Sequence, residues 1–406
     1  MFNQGSIVVG LDVGTAKVCA LVSEAGPDGV VNIIGEGTAP SRGVRKGEII
    51  DTTKAEEDIR AAVAKAEKSA DIEIRNLILG VTGTHIHGFN NRGIHNITSG
   101  DGEITEDDID DVVRQARNIS LPVEKEIIHT VRQHYHVDQQ EGIINPLGLL
   151  GNRLEVDVHV IHGLANRLQN PIRTVRGLQL DVEAIAFNGR ASALAVLSRE
   201  QCERGALLID LGAGVTEYVA FMQGAPKHSA VLGVGGDHVT NDISVGLKIT
   251  TNRAEQIKKD HGRALSDPLI NGKTLDFPSE IGLSDQSVKL AHLHLVMNAR
   301  LEEIFLLIKK DLKKADILEH LHGGVYLTGG GARVEGVSEL AEQVLGLPAN
   351  TTRNQSESGL QEVLDQPEFS SAIGLVKHGV RHLGSARKPG MMGRMKHSLM
   401  GLFGSR

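Results

Sequence analysis

The sequence predicts an α/β protein with two lobes, and three observations lead to that prediction. The chain has 406 residues, more than one hydrophobic core usually holds, so two or more domains are expected. Two similar segments, GLDVGTAKVCALV at 10–22 and LIDLGAGVTEYVAF at 208–221, each place Asp-x-Gly between short apolar runs. Apolar segments of strand length alternate with helical patterns, as in α/β domains. Each lobe is therefore expected to contain one glycine-bearing hairpin.

The first part of the chain predicts an α/β segment followed by an insert of different pattern. After the opening hairpin, helical periodicity runs from about Lys54 to Ala70, and a buried strand is predicted at Leu77–Gly83. Residues 84–162 predict a small α+β insert. Within it, the alternation of LEVDVHV at 154–160 predicts a strand with one solvent-facing side, and a helix is predicted after the N-cap Thr105.

The α/β pattern then resumes and leads to the second hairpin. Helices are predicted near 164–176 and 189–199. A mainly helical segment spans about 250–318, with its longest helix at Asp285–Ala315. The segment GVYLTGGGARVEG predicts a strand, a glycine loop and a helix, and SAIGLVKHGVRHLG predicts one more helix.

These patterns predict that the chain is divided into five units, with the insert interrupting the first lobe. The units are a first lobe at 1–83, 163–204 and 371–386, an insert at 84–162, a second lobe at 205–244 and 319–370, a helical subdomain at 245–318, and a basic linker with a terminal helix at 387–406. Both lobes are thus expected to be assembled from separated stretches of the chain.

Composition excludes several classes of protein. Hydrophobic residues make up 40% and charged residues 23%, which is typical of a globular fold rather than a disordered chain. Trp is absent and aromatic residues amount to 3%, so base-stacking surfaces for nucleic acid are not expected. The two cysteines, Cys19 and Cys202, have no metal-ligand spacing. We therefore expect no nucleic-acid partner and no transition metal.

The two hairpins carry the residue types that bind phosphate and magnesium. Turn amides can hold phosphate oxygens, and Lys17 can offset the phosphate charge. The candidate turn residues are Gly14, Thr15, Gly212 and Gly214. If the lobes face each other, Asp12 and Asp210 can hold a hydrated Mg²⁺ between them. Either hairpin alone is better explained as an ordinary β-turn, and only the pairing favours a ligand cleft.

A third glycine-rich segment follows the strand predicted to end at Thr328. Gly329, Gly330 and Gly331 let the backbone approach a ligand at the positive end of the next helix. Nucleotide phosphate or ribose is the expected ligand. A simple tight connection between strand and helix is the alternative for this segment alone.

The order of these segments resembles a known family. GLDVGTAKVCALV, LLIDLGAGVTEYVAF, GVYLTGGGARVEGV and SAIGLVKHG are similar to the phosphate, adenosine and connecting motifs of the actin, Hsp70 and sugar kinase superfamily. GEITEDDIDDVVRQAR, QEGIINPLGLLGNRLEVDVHVI and AEQIKKDHG resemble stretches of the FtsA family of bacterial cell-division proteins. The resemblance implies a two-lobed actin-like ATPase fold of duplicated ribonuclease H-like domains, with an inserted α+β subdomain and a C-terminal amphipathic helix.

The resemblance also implies ligands and partners. It implies that Thr216 belongs to an ATP- and Mg²⁺-binding site, and that Glu255 and Lys258 reach the ribose and adenine. It implies a protein that polymerises, binds the C-terminal peptide of FtsZ, and anchors the Z ring to the cytoplasmic face of the membrane at the division site. The peptide would dock on 245–318, where Arg300 is the candidate contact; an exposed intrahelical salt bridge is the alternative for Arg300. Other division proteins would bind the insert.

The sequence departs from the superfamily pattern at two places. Ala213 replaces a glycine of the second phosphate motif, and it is small enough to keep the turn. The first connecting segment, FNGRAS at 187–192, has no carboxylate at the start of its helix to orient a water molecule. We therefore assign no catalytic residue and expect at most slow ATP hydrolysis, so the protein is not expected to act mainly as an enzyme.

The end of the chain predicts an amphipathic helix. After Glu368 come seven cations and no acid. A helical wheel of MMGRMKHSLMGLF gathers the apolar residues on one face, with Met400 off the stripe. Lys396 flanks this stripe and Arg394 faces away from it. The candidate membrane residues are Met391, Met392, Arg394, Met395, Lys396, Leu399, Leu402 and Phe403. Binding to an anionic membrane surface is expected, and packing of this helix on the body is the alternative.

A small-molecule kinase of the same superfamily is the competing functional hypothesis. Such an enzyme would need a catalytic carboxylate and a substrate pocket in the cleft. It would have no need of a terminal amphipathic helix.

Overall fold

The structure is a computed structural model, and it describes residues 6–26, 30–265, 272–277, 286–352, 354, 358–360 and 365–386. The helices are α1 (Thr52–Ala70), α2 (Glu106–Arg117), α3 (Ala165–Arg176), α4 (Asn188–Val196), α5 (Arg199–Arg204), α6 (Gly236–Leu247), α7 (Thr251–His261), α8 (Leu290–Lys314), α9 (Val337–Leu345) and α10 (Ser370–Ala386). Within these residues, no helix is both long and apolar enough to cross a membrane.

The first lobe is built on a mixed sheet. Its strands are β1 (Ser6–Val13), β2 (Lys17–Ala25), β3 (Val31–Pro40), β6 (Asn76–Val81), β11 (Asp181–Phe187) and the two-residue β19 (Ser358–Gly359). Strands β4 (Val44–Arg45) and β5 (Glu48–Ile49) form a separate short hairpin outside this sheet. The sheet order is β11-β6-β1-β2-β3-β19. The predicted opening hairpin is the antiparallel pair β1 and β2.

The second lobe repeats the arrangement of the first. Its strands are β12 (Ala206–Leu211), β13 (Thr216–Met222), β14 (Ala225–Leu232), β17 (Gly324–Thr328) and β18 (Ala349–Thr351). Their order is β14-β13-β12-β17-β18, with an antiparallel meander β12-β13-β14 and parallel neighbours β17 and β18. The first lobe shows the same order and directions in β3-β2-β1-β6-β11. The predicted duplication is therefore confirmed.

Two helices lie between the lobes. Helices α4 and α10 pack on each other, and α10 also packs on β1. Their apolar residues share one core with buried residues of both lobes, such as Leu21 of β2 and Leu208 of β12. Helix α1 covers the opposite face of the first sheet, where Ile59 and Val63 form a different core. Each sheet is thus closed by helices, and the two lobes meet through α4 and α10.

The insert has its own sheet and helix. Its strands are β7 (His87–Asn96), β8 (Lys125–Val137), β9 (Gln140–Ile143) and β10 (Arg153–Leu164), in the order β7-β10-β8-β9. Helix α2 covers one face and begins with the predicted capping box, in which the Thr105 hydroxyl accepts from the Asp108 amide and the Asp108 carboxylate accepts from the Thr105 amide.

The expectation that the strand at 154–160 has one solvent-facing side is wrong. Leu154, Val156, Val158 and Val160 are buried as predicted, but the polar residues between them are also shielded. His159 is fully buried because the second face of β10 lies toward β14 of the second lobe. Alternation revealed the strand, but it gave no information on what covers its polar side.

The long helix of the helical subdomain begins later than predicted. Residues 286–289 form β16 (Gln286–Lys289), which pairs antiparallel with β15 (Thr274–Phe277). Helix α8 starts at Leu290 because the preceding residues are held extended by that hairpin. The buried stripe of α8, which includes Leu293, Met297 and Leu301, packs in the core of the second lobe.

Candidate functional site

The turns of the two homologous hairpins meet between the lobes. In the first turn the Gly14 amide donates to the Lys17 carbonyl at 3.0 Å. In the second, Gly214 lies so close to the first lobe that a Cβ on it would be 2.4 Å from Thr15 Oγ1 and 2.8 Å from Lys46 Cα. Only glycine allows this approach. The structure therefore brings together the turn residues that the sequence singled out separately.

Asp12 and Asp210 lie at the ends of β1 and β12 and are both buried, with 9% and 6% of their surface exposed. Asn188 Nδ2 of α4 donates to Asp12 Oδ1 at 2.9 Å. Burial and the neighbouring Asp210 raise the pKa of Asp12 to about 6, although Lys17 and Asn188 act in the opposite direction. Burial likewise raises the pKa of Asp210. The site is therefore short of positive charge.

Asp210 is also held by hydroxyl groups from both connecting helices. Ser192 Oγ of α4 donates to Asp210 Oδ2 at 2.6 Å, and Ser371 Oγ of α10 donates to the same oxygen at 3.1 Å. These bonds orient the carboxylate. Oδ1 of Asp210 faces Gly329, where a Cβ would lie at 2.2 Å and where φ is +80°, so glycine is required there.

Glu217 is a third buried carboxyl group at this site, and sequence analysis did not select it. It lies directly across the β12–β13 ladder from Asp210 and accepts a hydrogen bond from Thr82 Oγ1 of the first lobe at 2.7 Å. Its Cβ packs on Gly189 at the start of α4. Burial and the charge of Asp210 raise its pKa well above the usual value. The sequence did contain a signal for this residue, because Glu217 is the acidic residue at the end of the second phosphate motif, GAGVTE at 212–217.

The residues at the site fit a hydrated divalent cation. Of the three buried carboxyl groups, Asp12 and Asp210 are opposed by Lys17, whose Nζ lies 3.5 Å from the centre of the Phe369 ring. Among the residues that the structure describes, Asn188 Oδ1 is buried with no hydrogen-bond partner. A cation that carries water molecules would supply both missing elements, positive charge for the carboxylates and a donor for this oxygen.

The glycine loop 329–331 lies beside Asp210, because Gly329 packs directly on that carboxylate. Strand β17 ends at Thr328 as predicted, and the α-helix that follows is separated from Gly331 by several residues. Residues 330–333 form a single 3₁₀ turn, and α9 begins at Val337. A Cβ placed on Gly330 would meet no other heavy atom within 4 Å, so this residue faces open space. The Gly329 amide donates to the Pro367 carbonyl at 3.1 Å, so the loop is tied down on one side and open at Gly330, and it is not the end of an α-helix.

Glu255 and Lys258 of α7 are tied to the second turn. Lys258 Nζ lies 2.6 Å from Glu255 Oε2 and donates to the Gly236 carbonyl at 3.1 Å. The Gly236 amide in turn donates to the Gly212 carbonyl at 2.9 Å. Thr216 is fully buried, and its hydroxyl donates to the Val234 carbonyl at 2.8 Å. Its side chain thus stabilises the second lobe from within.

The remaining predicted site residues lie elsewhere. Arg300 of α8 forms a bidentate ion pair with Asp242 of α6, at 2.5 and 3.1 Å, and also contacts Glu303. Its predicted role in binding a partner stays a prediction. The eight candidate membrane residues between 391 and 403 lie outside the described residues.

Two homologous sheets, a cleft between them and an acidic residue from each hairpin define an actin-like ATPase fold. Solved structures with this fold include MreB5 of Spiroplasma citri bound to ADP, with a TM-score of 0.57, 12% identity and coverage of 95% of this chain and 99% of that one. The PilM–PilN type IV pilus biogenesis complex superposes with a TM-score of 0.62 at 17% identity, covering 92% of this chain and 98% of that one.

The chain belongs to the FtsA family of cell-division proteins. The family model "Cell division protein FtsA" matches residues 207–374, and "SHS2 domain inserted in FTSA" matches residues 83–162. FtsA of Pseudomonas aeruginosa is 36% identical, covering 93% of this chain and 90% of the relative. FtsA of Escherichia coli K12 is 34% identical, and the match covers 92% of this chain and 90% of the relative. The resemblance seen in the sequence motifs is therefore confirmed.

Proposed function

We propose that this cell-division protein binds ATP with Mg²⁺ in the cleft between its lobes. The observation that carries the proposal is the pair Asp12 and Asp210, one from each homologous hairpin, buried together without enough positive charge. The fold relative MreB5 has been solved with ADP and with AMPPNP, which supports the choice of an adenine nucleotide. Bound Mg²⁺ would neutralise the phosphates and polarise them.

Different residues are assigned to the phosphates, the metal and the nucleoside. The turn amides at Gly14, Thr15, Gly212 and Gly214 hold phosphate oxygens, and Lys17 adds a positive charge. Asp12 and Asp210 hold the metal through its water molecules. The loop 329–331 and the pair Glu255 and Lys258 border the nucleoside.

Hydrolysis of the nucleotide is slow in this proposal. Glu217 packs through its Cβ on Gly189, the second residue of α4, in the region where faster hydrolases position water. Burial and the charge of Asp210 raise its pKa, and its carboxyl group already accepts a hydrogen bond from Thr82, so it is not arranged to take a proton from an attacking water. The protein is then a nucleotide-controlled adaptor rather than a catalyst of turnover.

ATP controls assembly because it touches both lobes. A ligand held by turns from each lobe favours the closed arrangement, and that arrangement forms the polymer. Each chain contributes one amphipathic tail helix at 391–403, which by itself binds a membrane weakly and reversibly. Polymerisation multiplies the anchors and converts weak binding into avidity. The polymer thus tethers FtsZ filaments to the cytoplasmic face of the membrane at the division site.

The partners are assigned to separate surfaces. The C-terminal peptide of FtsZ docks on the helical subdomain at 245–318, with Arg300 as the candidate contact. Other division proteins bind the insert at 84–162. The kinase alternative has no specific observation in its favour among the described residues.

Co-sedimentation with vesicles tests the proposal. The full chain is mixed with anionic vesicles and fluorescent FtsZ, with and without ATP and Mg²⁺. We expect Leu399→Glu, on the apolar stripe, to abolish recruitment of FtsZ to vesicles, and Met400→Glu, off the stripe, to preserve most of it. Recruitment that persists in Leu399→Glu, or that is independent of ATP, would contradict the proposal.

A further inference from the structure

A cluster of basic side chains lies at the junction of the first lobe, the insert and α10. It consists of Arg190 of α4, His129 of β8, and His378 and Arg381 of α10, and we call it the basic cluster. Arg190 and His378 are partly exposed, Arg381 is exposed, and His129 lies beneath them with 8% of its surface accessible. None of these residues belongs to the nucleotide cleft described above.

The geometry of the basic cluster is defined by direct contacts between its members. Arg190 Nη1 donates to His378 Nδ1 at 3.3 Å. The rings of His129 and His378 meet edge to face, with centroids 5.3 Å apart. His129 Nε2 accepts from the Phe187 amide at 3.0 Å, so its ring is fixed by the backbone that leads into α4. The cluster is thus a fixed constellation rather than a group of mobile surface chains.

The basic cluster has no acidic counterpart among the described residues. Burial lowers the pKa of Arg190 to about 10 and that of His378 to about 4, and every charged group that adds to these shifts is another cation of α4 or α10, His382 included. The pKa of His129 is lowered in the same way, by burial and then by Arg190 and His378. A partly buried guanidinium group normally has a carboxylate partner. Here that partner is missing from the part of the chain described.

We propose that the basic cluster binds a phosphate-type oxyanion. The guanidinium groups of Arg190 and Arg381 offer several N–H donors suited to phosphate oxygens. Because His378 Nδ1 accepts from Arg190, the neutral ring carries its proton on Nε2 and can add one more donor. The exposed Arg381 leaves the cluster open to an incoming anion. The bound anion supplies the negative charge that α4, β8 and α10 lack at this point.

Position in the chain indicates where such an anion comes from. Helix α10 leads directly into residues 387–406, which contain no acid and carry five cations, Arg387, Lys388, Arg394, Lys396 and Arg406. If the tail binds the membrane, which rests on the proposed function, the face that bears Arg381 lies near lipid headgroups. A lipid phosphate and a free phosphate have the same chemistry, so the experiment must distinguish them.

The first arm of the test uses free phosphate. The full chain with isotope-labelled histidine is titrated with inorganic phosphate, and the His378 signal, assigned with His378→Gln, is followed by NMR. We expect a saturable shift and a rise in the pKa of His378 of about one unit, because a nearby anion favours the charged ring. Arg381→Gln is expected to weaken phosphate binding roughly tenfold. Arg60→Gln, which removes the same charge from the exposed side of α1, is expected to change nothing.

The second arm uses vesicles of phosphatidylglycerol or of phosphatidylcholine. We expect Arg381→Gln to lower affinity for the anionic vesicles roughly fivefold and Arg60→Gln to leave it unchanged. A phosphate response with equal vesicle binding by both variants assigns the site to a soluble oxyanion. A phosphate response in a chain that does not bind vesicles at all refutes the membrane tether but not the site. An unshifted His378 ring, or an equal shift in Arg381→Gln, overturns the proposal.

Discussion

The cleft between the lobes and the contact between the insert and β14 both join the first half of the chain to the second lobe through buried polar groups. In the contact, His159 is fully buried, with Nδ1 bonded to Asn90 Oδ1 and Nε2 to Ser229 Oγ, each at 2.8 Å. In the cleft, Asp12, Asp210 and Glu217 are also buried but short of positive charge. We call the contact with β14 the seam.

The two regions differ in whether their buried polar groups find partners within the chain, and this difference distinguishes a structural contact from a candidate binding site. The seam is complete within the chain, because Gln133 and Lys227 bond to each other and Gln133 also donates to the Pro226 carbonyl. A satisfied network stabilises one arrangement of two units. The cleft is incomplete, and an uncompensated buried charge is costly unless a ligand relieves it. The incomplete region is therefore the one expected to bind a ligand.

The largest expected effect is on nucleotide affinity when the cleft loses a carboxylate. Asp210→Asn keeps the hydroxyl contacts of Ser192 and Ser371 but removes a charge, so the affinity for ATP with Mg²⁺ should fall about a thousandfold, as for breaking a buried charge pair. The measurement is isothermal titration calorimetry. Asp107→Asn, an exposed site on the insert, serves as the control. A variant that binds ATP normally would show that the cleft resembles the seam in being purely structural.

The second effect is the pH dependence of stability without nucleotide or metal. The pKa of Asp12 is raised to about 6 in the folded chain, so the folded state holds its proton more tightly than the unfolded state. Its contribution to the free energy of unfolding is therefore greatest at about pH 4 and is lost as pH rises through 6. Asp12→Asn has no carboxyl group to ionise, so it should not show this loss. Between pH 4 and pH 8 its free energy of unfolding should therefore rise by about 3 kcal/mol relative to that of the wild type.

Thermal unfolding in EDTA from pH 4 to pH 8 checks this expectation, with wild type and Asp12→Asn compared at each pH. A difference between them that does not grow with pH would mean that Asp12 is balanced by groups within the chain. The cleft would then lose its distinction from the seam.

The smallest of the three effects concerns the seam and has the opposite dependence on pH. His159→Leu removes two buried hydrogen bonds, which should lower the free energy of unfolding by about 2 kcal/mol at pH 7.5 without changing ATP affinity. Burial lowers the pKa of His159 to about 3, so the wild-type chain should lose stability as pH falls below about 6.5, where the unfolded ring takes up a proton. The His159→Leu variant should lose less stability than the wild type over the same fall in pH, because it has no ring to protonate at this position.

Calorimetric unfolding between pH 5 and pH 7.5 provides the measurement, and the exposed His322→Leu provides the control. Were His159→Leu to weaken ATP binding as much as Asp210→Asn does, the two regions would have to be one coupled unit. Equal stability of His159→Leu and wild type would instead show that the seam contributes nothing to folding.

Local patterns were sufficient to find the two hairpins. Apolar strands of β propensity around Asp-x-Gly produce the same turn wherever they occur, and so Asp12, Gly14, Asp210 and Gly212 could be selected from short windows of sequence. The capping box at Thr105 is local in the same sense. The onset of α8 was missed because β16 depends on its pairing with β15, which a helical pattern does not report.

Partners that lie far apart in the sequence could not be selected in this way. Asn188 meets Asp12 across 176 positions, and Ser371 meets Asp210 across 161. The basic cluster likewise joins α4, β8 and α10. Asn, Ser and His are common on surfaces, so nothing in their neighbours along the chain distinguishes them from solvated residues.

The sequence by itself determined the duplicated hairpins, the alternation of strands and helices, and the family, because these depend on residues close together in the chain. Only the tertiary structure decided that Glu217 joins the two aspartates, that His159 is satisfied by Ser229, and that Arg190 has no described acid beside it. The physical reason is that burial and charge balance depend on every element packed around a group. Periodicity records only which side of its own strand or helix a residue occupies.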